Sequence, residues 1–217
     1  MKSNLTSINV IIDSSGSMSS LATDTIGGFN CFVAEQKLIT GEVLFTLCTF
    51  NSSYSLIHDA VPLTSISNLD KKDYFPSGGT ALLDAMGKTI DSVGAKLAAM
   101  PEEDRPSKIL FLIVTDGQEN SSSTYTAAQV KSMVEHQKDV YNWEFVFMGA
   151  NIDAIAEGNA LGISTQNTMN YDATSVGTKN LYRSISKSTT SYRGAPTQIG
   201  GAGFFTPVVP VITPSKK

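Results

Sequence analysis

The 217-residue sequence predicts an α/β fold: a mostly parallel central sheet with one antiparallel edge strand and helices on both faces. Three observations carry this. Apolar runs of strand length alternate with segments of helical periodicity, the signature of strands joined through helices. The runs are apolar almost throughout rather than at every second residue, as strands covered on both faces require. One pair of strands is separated only by Asn51-Ser52-Ser53, a turn short enough to make them an antiparallel hairpin.

In chain order, Ile8 to Ile12 reads as a buried strand ending at Asp13. Leu21, Ile26, Phe29, Phe32 and Val33 recur at helical spacing between about Met18 and Leu38, interrupted by Gly27-Gly28. Glu42 to Phe50 and Tyr54 to Leu63 form the hairpin. Leu82, Leu83, Met86, Ile90, Val93 and Leu97 mark an amphipathic helix from Ala81 to Met100, and a polar loop, Pro101 to Pro106, follows. Ile109 to Val114, within Lys108 to Thr115, is the clearest central strand. A charged helix over Ala127 to Val140, a strand over Trp143 to Met148 and a short helix over Ile152 to Leu161 come next. An edge strand near 167–171 and a last helix over Thr178 to Tyr192 complete the domain, residues 1–194. From Ala195 to Lys217 the composition turns to Gly, Pro, Phe and Val. This reads as a tail outside the core, free to strap onto the domain or to dock extended on a partner.

Composition narrows the function. Hydrophobic residues make up 41% and charged residues 17%, enough apolar material for a real core. A net charge of −4 argues against broad binding of nucleic acid or an anionic membrane. No apolar run reaches the roughly 18 residues of a membrane helix. Cys31 and Cys48 read as reduced core residues of a cytoplasmic protein, too few for a disulfide scaffold or a multi-cysteine zinc site.

In an open α/β sheet, ligands bind beyond the carboxyl ends of the strands. Three polar loops fall there: Asp13-Ser14-Ser15-Gly16-Ser17 after the first strand, Ser77-Gly78-Gly79-Thr80 before the long helix, and Asp116-Gly117 after the central strand. The alternation of Asp13, Ser15 and Ser17 gathers three oxygens around one point, and Gly16 and Gly78-Gly79 permit tight turns. Hard divalent cations take oxygen ligands, and Mg²⁺ wants a compact octahedron at about 2.0–2.1 Å, which short Asp, Ser and Thr side chains can supply. The bland alternative for any one segment is a helix cap or an Asx turn.

Taken together, these residues resemble the metal-ion-dependent adhesion site of von Willebrand factor type A (vWA) domains. That pattern is Asp-x-Ser-x-Ser, a distant Thr and a more distant Asp, matched here by Asp13, Ser15, Ser17, Thr80 and Asp116. The likeness extends to Gly79-Thr80-Ala81-Leu82 and Val114-Thr115-Asp116-Gly117, and the order of elements fits over residues 6–193. It implies a Rossmann-like domain of the intracellular bacterial or phage type that binds Mg²⁺, with Mn²⁺ as the alternative. Ser15 and Ser17 would ligate directly, Thr80 directly or through water, and Asp13 and Asp116 mostly through water. A partner protein's Asp or Glu would complete the coordination, with no bond broken. The expected partner-facing rim is Met18, Ser19, Asn51, Ser52, Tyr74, Phe75, Gln118, Glu119 and Asn120.

Two competing functions use the same cation. A metal-dependent hydrolase needs a general base, for which Glu119 is the only obvious candidate. A structural subunit would use the metal only to staple loops. Other signals are weaker. Ser184-Ile185-Ser186-Lys187 fits Ser-x-x-Lys without its supporting motifs. His58 and His136 have no histidine at metal-binding spacing, and no phosphate-binding Gly-x-x-x-x-Gly-Lys-Ser/Thr is present.

Overall fold

A computed structural model describes residues 1–195 and 203–205. Six strands form one sheet in the order β3-β2-β1-β4-β5-β6. They are β1 (Lys2–Asp13), β2 (Glu42–Phe50), β3 (Tyr54–Pro62), β4 (Pro106–Thr115), β5 (Glu144–Gly149) and β6 (Thr168–Asn170). All neighbours pair parallel except β2 and β3, so the one antiparallel edge is the expected hairpin. The helices are α1 (Ala22–Lys37), α2 (Leu82–Ala99), α3 (Ala127–Tyr141), α4 (Ala154–Ala160) and α5 (Ser175–Gly194).

The nearly continuous apolar strands split their side chains between two cores. Ile8, Val10 and Ile12 of β1 face α1 and α5, while Ile11, with Ile113 of β4, faces α2, α3 and α4. Parallel pairing brings the carboxyl ends of β1 and β4 side by side, with Ile12 opposite Val114. Asp13 and Asp116 thereby leave the sheet as neighbours, although they are far apart in sequence.

Three expectations are corrected. The first helix starts later than its periodicity indicates. Residues Gly16–Leu21 form a 3-10 turn, and the Ser19 hydroxyl donates back to the Gly16 carbonyl, a local bond that competes with α-helical hydrogen bonding. Cys31 is exposed rather than buried. The inward face of α1 is Thr25, Phe29, Phe32, Val33 and Gln36, and Cys31 falls on the other side. Cys48 does lie in the core, and burial pushes its thiol up to about 12. β1 also begins well before Ile8, because Lys2 at its start pairs with Arg105 and Pro106 at the start of β4.

α1 and α5 run side by side in the same direction. Ser175 donates to Asp24 at one end, and Gln36 donates to Ser186 and Thr190 toward the other. Gly28 permits the close approach: a Cβ there would lie 2.2 Å from the Tyr182 ring. The carboxyl end of α5 is held by two cations. The buried Lys108 ammonium donates to the carbonyls of Tyr192, Arg193 and Ala195, and Arg193 donates to those of Gln36, Ile39 and Gly41. Beyond α5, Phe204 is buried against this face, its amide donating to Asn167 Oδ1. The remainder of the tail lies outside the described residues. Among the described residues no helix is long and apolar enough to cross a membrane.

Candidate metal centre

The three polar loops meet at the carboxyl ends of β1 and β4. Gly16 N donates to Gly78 O (3.0 Å) and Ser77 N to Ser14 O (2.8 Å), which ties the β1 loop to the segment before α2. Gly78 sits at φ +70°, a left-handed conformation suited to glycine, and turns the chain into α2.

Asp13 is fully buried. Its Oδ1 accepts the Ser15 amide (2.7 Å) and its Oδ2 accepts the Thr115 hydroxyl (2.6 Å). The Ser15 and Ser17 hydroxyls are 3.0 Å apart, and Ser17 donates to Asp116 Oδ1 at 2.5 Å. Thr80 faces the same point: a Cβ added to Gly117 would lie 3.5 Å from Thr80 Oγ1 and 3.6 Å from Ser17 Oγ. The bare Gly117 backbone thus leaves room between these hydroxyls. All five residues read from the sequence as metal-holding are brought together.

Among the described residues no three His, Cys, Asp or Glu side chains cluster as a metal site. A cation here depends on hydroxyls, with two carboxylates behind them. That donor set is all oxygen and compact, which fits a small hard divalent ion and ill suits a soft one. The electrostatics fit as well. Burial pushes the carboxyl pKa of Asp13 above its ordinary value, with Asp116 adding to the push and the Thr115 and Ser15 bonds opposing it. Burial raises Asp116 likewise, against the Ser17 bond. Two buried carboxylates whose charge is disfavoured would be stabilised by a cation placed beside them.

This fixes a pH dependence. Raised folded-state values mean that the metal-free protein binds protons from these carboxyls that the unfolded chain has already released. With chelator present, stability therefore falls as pH rises from the ordinary 3.8 through the raised values. A divalent ion bound at the site would hold both groups ionised and reverse the slope in that window. Urea unfolding midpoints between pH 4 and 7, with EDTA and with Mg²⁺, check the two signs.

The expected rim is partly a rim. Ser19, Ser52, Phe75, Gln118 and Asn120 are exposed, and Asn51 and Glu119 are half-buried. Met18 and Tyr74 are not available to a partner, each being 1% exposed. Met18 and Leu21, three apart on the 3-10 turn, both point into the core. The Tyr74 phenol reaches inward to donate to the Asp13 carbonyl at 2.6 Å. Phe75, the next residue, is 74% exposed beside the site.

Glu119 has a different task from either one the sequence offers. Its Oε1 accepts the amides of Ser121 and Ser122, and its Oε2 accepts the Leu83 amide and the Ser122 hydroxyl. It caps the start of α2 and shapes the loop after Asp116. Asn120 and Asp84 extend this zipper. Thr80 N donates to Asn120 Oδ1 and Asn120 N to Thr80 O, while Asp84 accepts the amides of Ser123, Thr124 and Tyr125.

The sequence reading missed Thr115, Asp84 and Tyr171. Thr115 orients Asp13, Asp84 holds the loop, and Tyr171 donates to the Thr115 carbonyl at 3.3 Å. An acidic residue in the first turn of α2 is a signal that would have pointed to Asp84. Nothing in the sequence marks Tyr171.

No protein-family model and no curated protein sequence matches the chain. Solved structures do. Proximal thread matrix protein 1 from the mussel byssus is 15% identical over 86% of this chain and 46% of its own, with a TM-score of 0.59. Another structure of that protein has a zinc-occupied metal-ion-dependent adhesion site. A von Willebrand factor type A protein from Catenulispora acidiphila is 14% identical over 85% of this chain and 42% of its own, TM-score 0.55. The manganese-loaded TRAP protein of Plasmodium vivax is 16% identical over 80% of this chain and 70% of its own, TM-score 0.54. The chain spans less than half the length of the mussel and Catenulispora proteins. With the sheet order and single antiparallel edge described above, these likenesses give the chain the fold of a von Willebrand factor type A domain.

Proposed function

We propose that the chain is a Mg²⁺-dependent protein-binding module in which Asp13, Ser15, Ser17, Thr80 and Asp116 hold the ion and a partner's Asp or Glu completes its coordination. Mn²⁺ would serve in its place. The observation that carries the reading is the layering of the site. Both carboxylates are withdrawn from solvent and committed to hydrogen bonds, while Ser17 stands at the surface between them and any partner. A cation faced by neutral hydroxyls keeps most of its positive field on the open side, and a carboxylate is the protein group that field selects.

A binding role is favoured over hydrolysis by the state of Glu119. Its two oxygens already accept four hydrogen bonds, so it has no free lone pair directed at a metal-bound water. We place the module in the cytoplasm of a bacterium or phage-infected cell. Two free cysteines, one of them exposed, suit a reducing compartment.

The test is capture of partners on the immobilised full chain with Mg²⁺, with EDTA, and with Mg²⁺ on Thr80→Ala. A protein retained only by the wild type with Mg²⁺ is the expected result. Equal retention in all three contradicts the reading.

A further inference from the structure

Four buried hydroxyls have no hydrogen-bond partner among the described residues: those of Thr25, Thr178, Tyr182 and Thr189. Three of them belong to the same stretch of the α1–α5 interface. Thr25 belongs to the buried face of α1, one turn before Gly28, and Gly28 lies against the Tyr182 ring. Thr178 is one turn before Tyr182 on the buried face of α5. The two helices run in the same direction, so Thr25 and Thr178 face each other across the interface. A tyrosine on a helix leans toward the helix's N-terminus. That tendency directs the Tyr182 phenol toward the end of the interface that holds the two threonines, and Tyr182 lies within electrostatic reach of Tyr74. Thr189 sits about two turns further along and is not part of this group.

The group adjoins the metal centre. Tyr74, whose phenol donates to the Asp13 carbonyl, has the Thr25 hydroxyl beside it. Tyr171 donates to the Thr115 carbonyl. Two phenols thus hold the last carbonyls of β1 and β4, and the Thr25 hydroxyl lies beside one of them. Buried hydroxyls without partners cost about 1–3 kcal/mol each, and proteins meet that cost with water where several polar groups converge.

We propose that Thr25, Thr178 and Tyr182 hold bound water between α1 and α5, and that this water, through Tyr74, positions the end of β1 from which the metal ligands hang. Tyr74 and Tyr182 are positioning residues, because neither contacts the ion. The inference rests on the metal-binding reading above only for its second half, since the water can be seen whether or not the ion binds.

The test joins a high-resolution crystal structure of the full chain with Mn²⁺ titrations of wild type, Tyr74→Phe, Tyr182→Phe and the double variant. Phenylalanine keeps each ring and removes only the hydroxyl. Density should show water within hydrogen-bond reach of Tyr182 and at least one of the two threonines. Tyr74→Phe should weaken Mn²⁺ binding by about tenfold, the low end for loss of an outer-shell partner, and Tyr182→Phe by roughly threefold. The double variant should lose no more than Tyr74→Phe alone, because the water acts through Tyr74. A dry interface overturns the proposal. So does an unchanged affinity in Tyr182→Phe, or losses that simply add. If the wild type binds no Mn²⁺ while the water is present, the metal reading and the coupling fail together, and the water site stands.

Discussion

With Ser15 and Ser17 both replaced by alanine, calorimetric titration with Mn²⁺ is expected to show no saturable binding. Two of the three hydroxyls proposed to face the ion are gone, and the remaining donors are Thr80 and two carboxylates set deeper. Loss of an outer-shell partner alone costs about 10–100-fold in metal affinity, and removing two direct donors exceeds that. The fold itself persists in this variant. The Asp13 carboxylate keeps the Ser15 amide and the Thr115 hydroxyl, neither of which the substitution touches. In chelator, variant and wild type should melt within a few degrees of each other. Ser14→Ala is the matched control: its hydroxyl donates inward to the Phe50 carbonyl, so Mn²⁺ binding should survive.

Asp84→Ala is expected to be the most destabilising single change near the site. The carboxylate is buried at the start of α2 and accepts three backbone amides at 2.8–3.1 Å, from Ser123, Thr124 and Tyr125. Burial alone would raise its pKa, but these amides outweigh burial and hold it below the ordinary value. Alanine leaves the three donors unmet and removes a negative charge from a helix N-terminus, at a cost of about 3 kcal/mol. For a chain of this size that is a fall in Tm of roughly 6–12 °C. Asp84→Asn keeps the acceptor oxygen that serves Thr124 and Tyr125 and should lose about half as much. Metal affinity should fall in Asp84→Ala too, because the same loop carries Asp116 and the Asn120 that grips Thr80. Its pH signature is opposite to that of the metal carboxylates: a depressed value contributes stability that is present above 3.8 and lost as pH falls through the folded value.

The difference between Asp84 and Asp13 shows what was legible in the sequence. Asp13, Ser15, Ser17, Thr80 and Asp116 could be read because their spacing forms a pattern at strand and helix boundaries. The parallel register of β1 and β4, read from two continuous apolar runs, then brings them together. Asp84 and Glu119 serve backbone amides whose positions depend on a loop conformation, and no residue pattern records that conformation. Tyr74 reads as a rim residue alongside Phe75, which is exposed, yet its own ring turns inward to the Asp13 carbonyl. Cys31 shows the limit of helical periodicity in a helix carrying Gly27-Gly28, where the buried face is set by contact with α5 and includes the polar Thr25 and Gln36. The partnership of α1 and α5 is tertiary, and neither helix announces it alone.

The most direct measurement of the central claim is water-proton relaxation by Mn²⁺ bound to the full chain, before and after adding a simple carboxylate such as glutarate. One Mn²⁺ per chain, with bound water displaced as the carboxylate coordinates, is the result predicted for an ion held by Ser15, Ser17 and Thr80 with an open outer position. Absence of saturable Mn²⁺ binding, or bound Mn²⁺ whose water is untouched by the carboxylate, would contradict it.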